Sequence, residues 1–508
     1  MSASPALVGQ SSPALLERDA LKRWCIALLA VGIGWRLARW GVAAPLWGDE
    51  AYIGLNVLER SWRELLLPLD FLQVSPIGFL WSQRAMILVF GGHEWIARLL
   101  PTIAGIAALA IYARFAGRRL DWPAAVLAVG ILAVAYYPVR HGAEFKPYAF
   151  DLLAAVVVIS LAARWLEDAD RRAAVWLAAL MPFIVLSSYP AVFVAGGAVA
   201  SAVLVAVRRR DRRLMLESLW VGGVLCIAFA ASYWFTIAPQ SASIPGQLQN
   251  MFEDACPPAG FLPLLRWLAW VHTGNMFAYP TGSGHGGSVL TFALFIMGAI
   301  SLWRGGRGRL LAILLAPFAL TFVAAALRMY PYGVTARVAQ HLAPSICLLA
   351  GVGLIAVLKN APWQPATSRK VLVGVLAVLL LFGVGGTASS IAKPYKTKDY
   401  REVRRIVTDL AGRSDCALMV FNPRAAVPAT FRWYFGVLAP NTPYLETGTQ
   451  PAPPLEHGVC ALVFHRDSSA FASVDGGRSR VLDRETELYI EDAPVHVRTV
   501  VWTAPRTG

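Results

Sequence analysis

Charged residues are scarce in this chain of 508 residues: only 15% are Asp, Glu, Lys or Arg, 57% are hydrophobic, and the mean hydropathy is +0.53. Soluble domains carry about 25% charged residues, so this composition excludes a soluble globular protein. The chain also has few cysteines, and its six show no spacing typical of a zinc or haem site. Neither a phosphate-binding loop nor a glycine triplet after a strand is present, so no nucleotide-binding site is predicted.

Long apolar runs are abundant and predict a polytopic α-helical membrane protein. Runs long enough to cross a hydrocarbon core of about 30 Å, some of them marginally, number eleven and occupy residues 24–44, 96–113, 123–139, 148–163, 173–188, 191–207, 217–237, 288–303, 310–327, 338–358 and 371–388. The formal charge of +15 would suggest nucleic acid or another anionic partner in a soluble protein, but no nucleic-acid partner is predicted for this chain. Here the basic residues lie mainly in short hinges between spans, which is a signal of membrane topology.

Every second hinge is basic, which assigns those hinges to the cytoplasm by the positive-inside rule. These hinges contain Arg114, Arg118 and Arg119; Arg164, Arg171 and Arg172; Arg208 to Arg210, Arg212 and Arg213; Arg304, Arg307 and Arg309; and Lys359, Arg369 and Lys370. We therefore expect a cytoplasmic N-terminus and an external C-terminus. The polar stretch 1–20 and the first span lack a small-residue cleavage pattern, so the first span is expected to act as an anchor. Arg36 and Arg39 near its outer end are interpreted as snorkelling to the interface.

The segment 75–93 is apolar enough to resemble a span, but counting it as one would place the arginine hinges outside. We predict instead a juxtamembrane helix on the outer face, paired with another around Tyr52–Leu66. From about Lys393 the composition becomes that of a soluble domain. An amphipathic helix is predicted at Asp399–Leu410 and another helix at Ala425–Phe435, and strands are predicted at 416–421, 460–464, 479–483, 487–490 and 495–502. The expected organisation is a membrane domain over 1–388 and an external α/β domain over 389–508.

Three polar clusters are expected to converge on the outer face. The first is Asp49 and Glu50, directly after the first span; the second spans Arg140–Asp151 and contains Glu144 and Lys146; the third spans Arg328–His341 and contains Arg337. Ionisable residues at membrane depth are costly and often functional. Carboxylates beside a lysine and an arginine suit a reaction that removes a proton and stabilises an anionic phosphate leaving group.

The motifs around these clusters resemble those of the GT-C glycosyltransferases, closest to the protein mannosyltransferase-like family 39 and the lipid A aminoarabinose transferases. The resemblance covers about residues 24–150 well and the later membrane body loosely. It is carried by Gly48-Asp49-Glu50-Ala51-Tyr52, Ser75-Pro76-Ile77-Gly78-Phe79-Leu80, Phe90-Gly91-Gly92-His93-Glu94, Ala97-Arg98-Leu99-Leu100-Pro101 and Glu144-Phe145-Lys146-Pro147-Tyr148-Ala149. Two departures are the Ser75-Pro76 pair, where two prolines are more common, and Lys146, where Arg is usual.

The resemblance implies a GT-C fold and an enzyme that takes a sugar from a polyprenyl phosphate and transfers it to a glycan, lipid or protein acceptor. It also implies that Asp49 is the acidic residue nearest the reaction. We predict an inverting transferase in a bacterial inner membrane whose active site faces the periplasm. Its candidate catalytic residues are Asp49, Glu50 and Glu144, and its candidate donor-phosphate ligands are Lys146, Arg337, Tyr148 and His341.

No metal or other cofactor is required by this scheme, although Asp49 and Glu50 are suited to hold a divalent cation. Two alternatives remain open at this point. One is an oligosaccharyltransferase-type enzyme that uses a glycan on a lipid pyrophosphate. The other is a lipid or sugar transporter, for which polar groups in broken helices near the middle of the membrane would be expected.

The topology leads to a first prediction. Reporter fusions after Arg119, Arg210 and Arg307 should give cytoplasmic signals, whereas fusions after His285 and Gly508 should give external signals, because the arginine-rich hinges resist translocation. Paired alkaline phosphatase and fluorescent-protein fusions measure both sides. An external signal at any of the three arginine hinges would mean that 75–93 crosses the membrane.

Overall fold

The computed structural model describes residues 15–242, 252–281, 287–395 and 398–411, followed by 418–421, 426–438, 444–447, 459–465, 479–481, 486–490 and 493–502. Within these ranges the chain is mainly helical. Its α-helices are α1 (Arg18–Gly41), α2 (Gly48–Glu59), α3 (Ile77–Phe90), α4 (Glu94–Arg119), α5 (Trp122–Ala133), α6 (Tyr136–His141), α7 (Tyr148–Glu167), α8 (Arg171–Ser187), α9 (Ala191–Arg209), α10 (Arg212–Ser232), α11 (Ala238–Ala242), α12 (Phe261–His272), α13 (Gly287–Arg304), α14 (Gly308–Ala326), α15 (Ala343–Asn360), α16 (Pro365–Ala392), α17 (Lys398–Ala411) and α18 (Ala426–Leu438).

Among the described helical segments, eight are long and apolar enough to cross a membrane: α4, α7, α9, the continuous segment Arg212–Ala242, α13, α14, Gln340–Asn360 and α16. The other three expected spans coincide with α1, α5 and α8, which have 24, 12 and 17 residues. A multi-pass membrane protein is therefore confirmed. The count of eleven crossings stays a prediction.

The two juxtamembrane segments form separate helices that pack together. Helix α3 has 14 residues, which corresponds to about 21 Å and is shorter than a membrane crossing. It lies against α2, and the Arg84 guanidinium on α3 donates hydrogen bonds of 2.7 and 2.6 Å to the carbonyl oxygens of Val57 and Leu58. The structure thus contains the predicted helix pair, with the first helix at Gly48–Glu59 instead of around Tyr52–Leu66. That neither helix crosses the membrane stays a prediction.

Arginine-rich hinges meet at one end of the helix bundle. Arg119 at the end of α4 and Arg307 between α13 and α14 both pair with Glu167 at the end of α7, at 3.4 and 2.9 Å. Nearby, Lys359 pairs with Asp121 at 2.9 Å. Helix α7 has 20 residues and is therefore about 30 Å long, so its other end, at Tyr148, lies a membrane thickness away from these pairs.

The described strands all lie in the last quarter of the chain. They are β1 (Leu418–Phe421), β2 (Tyr444–Thr447), β3 (Val459–His465), β4 (Ser479–Val481), β5 (Thr486–Ile490) and β6 (Ala493–Trp502). β1 and β2 are parallel, whereas β3, β4 and β5 each pair with β6 in antiparallel register. Five predicted strands and both predicted helices agree with this, and β2 was not predicted. Residues 416–417 and 482–483 of the predicted strands lie outside the described residues.

Arg36 corrects one interpretation made from the sequence. It is fully buried and does not snorkel. Its guanidinium donates to the carbonyl oxygens of Gly32 at 2.9 Å, Ala133 at 2.8 Å and Leu132 at 3.4 Å. Helix α5 ends at Ala133, and the last carbonyls of a helix need partners from elsewhere. Arg36 supplies those partners where no water is available.

Substitution of Arg36 by Lys should therefore lower stability although it keeps the charge. A lysine cannot reproduce the planar set of donors, and the loss of one charged hydrogen bond costs about 1.5–3 kcal/mol. We expect a lower thermal unfolding temperature in detergent for Arg36→Lys. The matched control is Arg23→Lys, at an exposed position of the same helix, which should change nothing. Equal unfolding temperatures for the two variants would contradict this role of Arg36.

Candidate active site

Asp49 lies at the start of α2 and faces two cations. Its Oδ1 is 3.1 Å from Nζ of Lys146, and its Oδ2 is 3.7 Å from Nη1 of Arg337. A carboxylate is also favoured there by the partial positive charge of a helix N-terminus. The Asp49 side chain is 24% exposed, so a substrate can reach it. The structure thus brings together one residue from each of the three polar clusters, as the sequence predicts.

Lys146 is held by a residue that the sequence analysis missed. Its ammonium donates a hydrogen bond of 2.8 Å to Oε1 of Gln73, and its side chain is only 6% exposed. The amide nitrogen of Gln73 donates to the carbonyl oxygen of Phe71 at 3.1 Å, which fixes the amide with its oxygen toward Lys146. Gln73 is a neutral residue in a loop, and no sequence pattern marks such a residue.

The loop that precedes Gln73 is hydrogen-bonded to α2, the helix that carries Asp49. Asn56 accepts a hydrogen bond of 2.8 Å from the amide of Asp70 and donates one of 3.2 Å to its carbonyl oxygen. The ring of Phe71 stacks on Tyr52, with centroids 5.1 Å apart. Phe71 and Leu72 have φ angles of 58° and 56°, which bulky residues rarely adopt. These contacts hold Gln73 beside Lys146.

Glu50 has a different environment from its neighbour Asp49. Its side chain is fully buried and forms a bidentate ion pair with the guanidinium of Arg98. Nε of Arg98 is 2.8 Å from Oε1 of Glu50, and Nη2 is 2.5 Å from Oε2. Oε1 also accepts a hydrogen bond of 2.7 Å from the amide of Phe145, the residue before Lys146. Arg98 donates further to the carbonyl oxygens of Ala44 and Pro45. Glu50 therefore joins α2, α4 and the hinge that contains Lys146.

Glu144 is also buried and paired. Its two oxygens contact Nε of Arg140 at 3.0 Å and Nδ1 of His141 at 2.7 Å. Burial opposes ionisation of this carboxyl, but His141, Arg140 and Arg39 outweigh burial and lower the pKa of Glu144 to about 2. Glu144 is therefore an anion at neutral pH with its charge already balanced by these neighbours.

Tyr148 and His341 have unequal relations to Asp49. The hydroxyl of Tyr148, half-buried at the start of α7, interacts electrostatically with both Asp49 and Arg337. His341 is buried, and its Nε2 lies 3.0 Å from the hydroxyl of Thr321. The rings nearest to His341 belong to Phe193 and Tyr330. Tyr148 thus borders the Asp49 centre, and His341 packs among aromatic residues.

The described residues contain no group of three or more His, Cys, Asp and Glu side chains placed to hold a metal ion. Asp49 contacts Lys146 and Arg337, whereas Glu50 contacts Arg98. The two adjacent carboxylates therefore have separate cationic partners.

Helix α18 packs against the elements that carry the site. Trp433 is fully buried and contacts the ring of Phe145 in an edge-on arrangement, with centroids 6.1 Å apart. A Cβ atom on Gly54 of α2 would lie 2.8 Å from the Trp433 ring, so α2 needs glycine there. The hydroxyl of Tyr434 accepts from the amide of Leu46 and donates to Glu94, both at 3.0 Å.

Comparison with known proteins gives a match to a family model and similarity to solved structures. Residues 74–234 match the family model described as dolichyl-phosphate-mannose-protein mannosyltransferase. Crystal structures of ArnT from Cupriavidus metallidurans, in the apo state and bound to undecaprenyl phosphate, superpose with TM-scores of 0.57 and 0.58. Each is 14% identical in sequence, and each match covers 94% of this chain and 98% of that chain. The chain has the GT-C fold. No curated protein sequence matches it.

The contrast between Asp49 and Glu50 in this GT-C fold gives a prediction about stability. Glu50→Gln leaves the buried Arg98 without its counter-charge, and breaking a buried ion pair costs about 3–5 kcal/mol. We expect Glu50→Gln to lower the thermal unfolding temperature clearly, and by more than Asp49→Asn, because Asp49 is partly exposed and its partner Lys146 keeps the hydrogen bond to Gln73. Unfolding followed by tryptophan fluorescence in detergent measures both. If Glu50→Gln were as stable as Asp49→Asn, Glu50 would not be a structural anchor.

Proposed function

We propose that this chain is an inverting glycosyltransferase that moves a sugar from a polyprenyl phosphate to an acceptor hydroxyl, with Asp49 as the general base. The observation that carries the proposal is the partly exposed carboxylate of Asp49 between Lys146 and Arg337. The match to the mannosyltransferase family model and the similarity to ArnT bound to undecaprenyl phosphate support it. The site would face the outer side of a bacterial cytoplasmic membrane, and the acceptor would be a glycan, lipid or protein.

The charges at this centre suit a phosphate donor. Asp49 contributes one negative charge, and Lys146 and Arg337 contribute two positive charges, so the centre has one positive charge in excess. A phosphate that binds to the two cations would take over contacts that Asp49 makes in the free protein. Asp49 would then be available to accept a proton from the acceptor hydroxyl.

The reaction would be a displacement at the anomeric carbon. The acceptor oxygen forms a bond to this carbon from the face opposite the phosphate, the bond to the phosphate oxygen breaks, and the hydroxyl proton moves to Asp49. Negative charge grows on the departing phosphate, where Lys146 and Arg337 stabilise it. Tyr148, which interacts electrostatically with both Asp49 and Arg337, would contribute to binding of the same phosphate.

Glu50 and Glu144 receive positioning roles in this proposal. Glu50 accepts the amide of Phe145 and pairs with Arg98, so it orients both α2 and the hinge that carries Lys146. Glu144 is balanced by Arg140 and His141 and holds the other side of this hinge. His341, enclosed by Phe193 and Tyr330, is assigned to packing of the adjoining helices.

The proposal predicts both the donor and the base. Purified protein in nanodiscs should transfer sugar from a polyprenyl-phosphate donor and not from a nucleotide sugar. Asp49→Asn keeps the size of the side chain but removes the base, and should reduce turnover by on the order of 10²–10⁴-fold. Lys146→Ala and Arg337→Ala should weaken donor use by about 1.5–3 kcal/mol each, whereas Lys146→Arg should keep part of the activity. Radiolabelled sugar transfer to membrane-extracted acceptors measures these effects.

The matched control is Arg63→Ala, which removes an exposed arginine from the segment between α2 and α3 and should leave transfer unchanged. Robust transfer from a nucleotide sugar alone would refute the proposed donor. Asp49→Asn activity within a few-fold of the unmodified protein would refute Asp49 as the base. Full activity in both alanine variants would remove Lys146 and Arg337 from the donor site.

A further inference from the structure

A second cationic site lies on the other side of the hinge from Asp49. The hinge residue Lys146 faces Asp49, whereas Glu144, two residues earlier, lines a separate cleft. This cleft forms where the outer ends of α1 and α16 meet the loop before α2, and its walls include Arg39, Trp47, Glu144, Ser390 and Tyr395. Nothing in the proposed sugar transfer uses it.

Most of the charges in this cleft are matched. Arg98 is saturated by Glu50 and by two backbone carbonyl oxygens. Both oxygens of Glu144 are occupied by Arg140 and His141. These pairs account for both carboxylates, Glu50 and Glu144, that border the cleft.

Arg39 is left without a hydrogen-bonded anion. Its Nη1 donates a hydrogen bond of 3.3 Å to the hydroxyl of Ser390, which also accepts from the indole of Trp35 at 2.8 Å. Its Nε is buried and has no partner in the part of the chain that the structure describes. Its interaction with Glu144 is electrostatic, without a hydrogen bond between them. Arg39 is in the last turn of α1, where the helix dipole contributes about 0.3–1 kcal/mol. Full desolvation of a guanidinium costs several kcal/mol, and Arg39 is partly buried, so the dipole offsets only part of the cost.

The surroundings of the cleft are apolar and exposed. Leu37 on α1 is 45% exposed and Ile391 on α16 is 54% exposed, so both helices carry exposed apolar side chains near the ends that form the cleft. In a membrane such side chains contact lipid acyl chains. Val42, Trp47 and Pro394 extend the apolar wall into the cleft.

We propose that the Arg39 cleft binds the phosphate of an anionic phospholipid, in a site separate from that of the sugar donor. The headgroup phosphate would accept hydrogen bonds from the part of the Arg39 guanidinium that lines the cleft, and the acyl chains would lie on the outer ends of α1 and α16. Ser390 would hold the guanidinium in place. This site does not depend on Asp49, Lys146 or Arg337.

Native mass spectrometry of the purified full chain tests the proposal by counting phosphatidylglycerol molecules that remain bound, with phosphatidylcholine for comparison. Arg39→Gln should reduce the apparent affinity for phosphatidylglycerol by about tenfold, as expected for loss of a charge-assisted contact. Arg39→Lys should keep most of it. Ser390→Ala keeps the charge but removes the hydroxyl, and should reduce the affinity by roughly threefold. The matched control Arg63→Gln removes an exposed arginine and should retain the unmodified affinity.

Unchanged affinity for phosphatidylglycerol in both Arg39→Gln and Ser390→Ala would overturn the proposal. If Arg39→Gln does not fold, unchanged affinity in Ser390→Ala is sufficient to overturn it. An equal loss in Arg63→Gln would show that general surface charge attracts the lipid, which also overturns it. Competition experiments distinguish a bound phospholipid from other sources of phosphate. Displacement of the lipid by millimolar inorganic phosphate would assign the cleft to a free anion, and preferential Arg39-dependent binding of undecaprenyl phosphate would assign it to the donor. Sugar transfer is measured independently, so failure of one proposal leaves the other testable.

Discussion

The buried contact between Glu50 and Arg98 fixes the geometry on which the candidate active site depends. It connects residues 48 positions apart, and the additional bond from the Phe145 amide to Glu50 reaches across 95 positions. The first contact fixes the start of α2 against α4, and the second fixes the hinge before α7. Asp49 and Lys146 each lie one residue away from these contacts, so their separation of 3.1 Å depends on both. A substitution at Glu50 is therefore expected to displace Lys146, which Glu50 does not contact.

Adjacent carboxylates separate into two roles because of helix geometry. Successive residues of an α-helix point about 100° apart, so Glu50 points into the packed interior when Asp49 points toward Lys146 and Arg337. The buried carboxylates Glu50 and Glu144 already have balanced charges, whereas the Asp49 centre keeps an excess of positive charge. An excess of fixed cations is what a site needs if it must bind a phosphate and stabilise it as it departs.

The sequence predicts the fold and the convergence of charge well. Long apolar runs specify membrane helices, whereas the number of crossings and the side of each hinge, inferred from the alternation of arginine-rich hinges, stay predictions. Asp49, Lys146 and Arg337 were predicted to meet, and they do. Gln73 was missed because a neutral amide in an irregular loop carries no periodic or charge signal. The role of Arg36 was misread because its carbonyl partners on α5 lie about a hundred residues away, and only the packed structure shows where α5 ends.

The contacts of α18 have a consequence for the biogenesis of this protein. Trp433 fills the space between Gly54 and Phe145, and Tyr434 holds the amide of Leu46, yet both belong to the last fifth of the chain. A ribosome releases this segment only after all the membrane helices have been made, and the segment must then reach the same side as Asp49. During insertion, α2 and the hinge that contains Lys146 therefore lack the packing contacts that α18 provides. The candidate active site is therefore completed as a late step of assembly, when α18 docks onto membrane helices that are already in place.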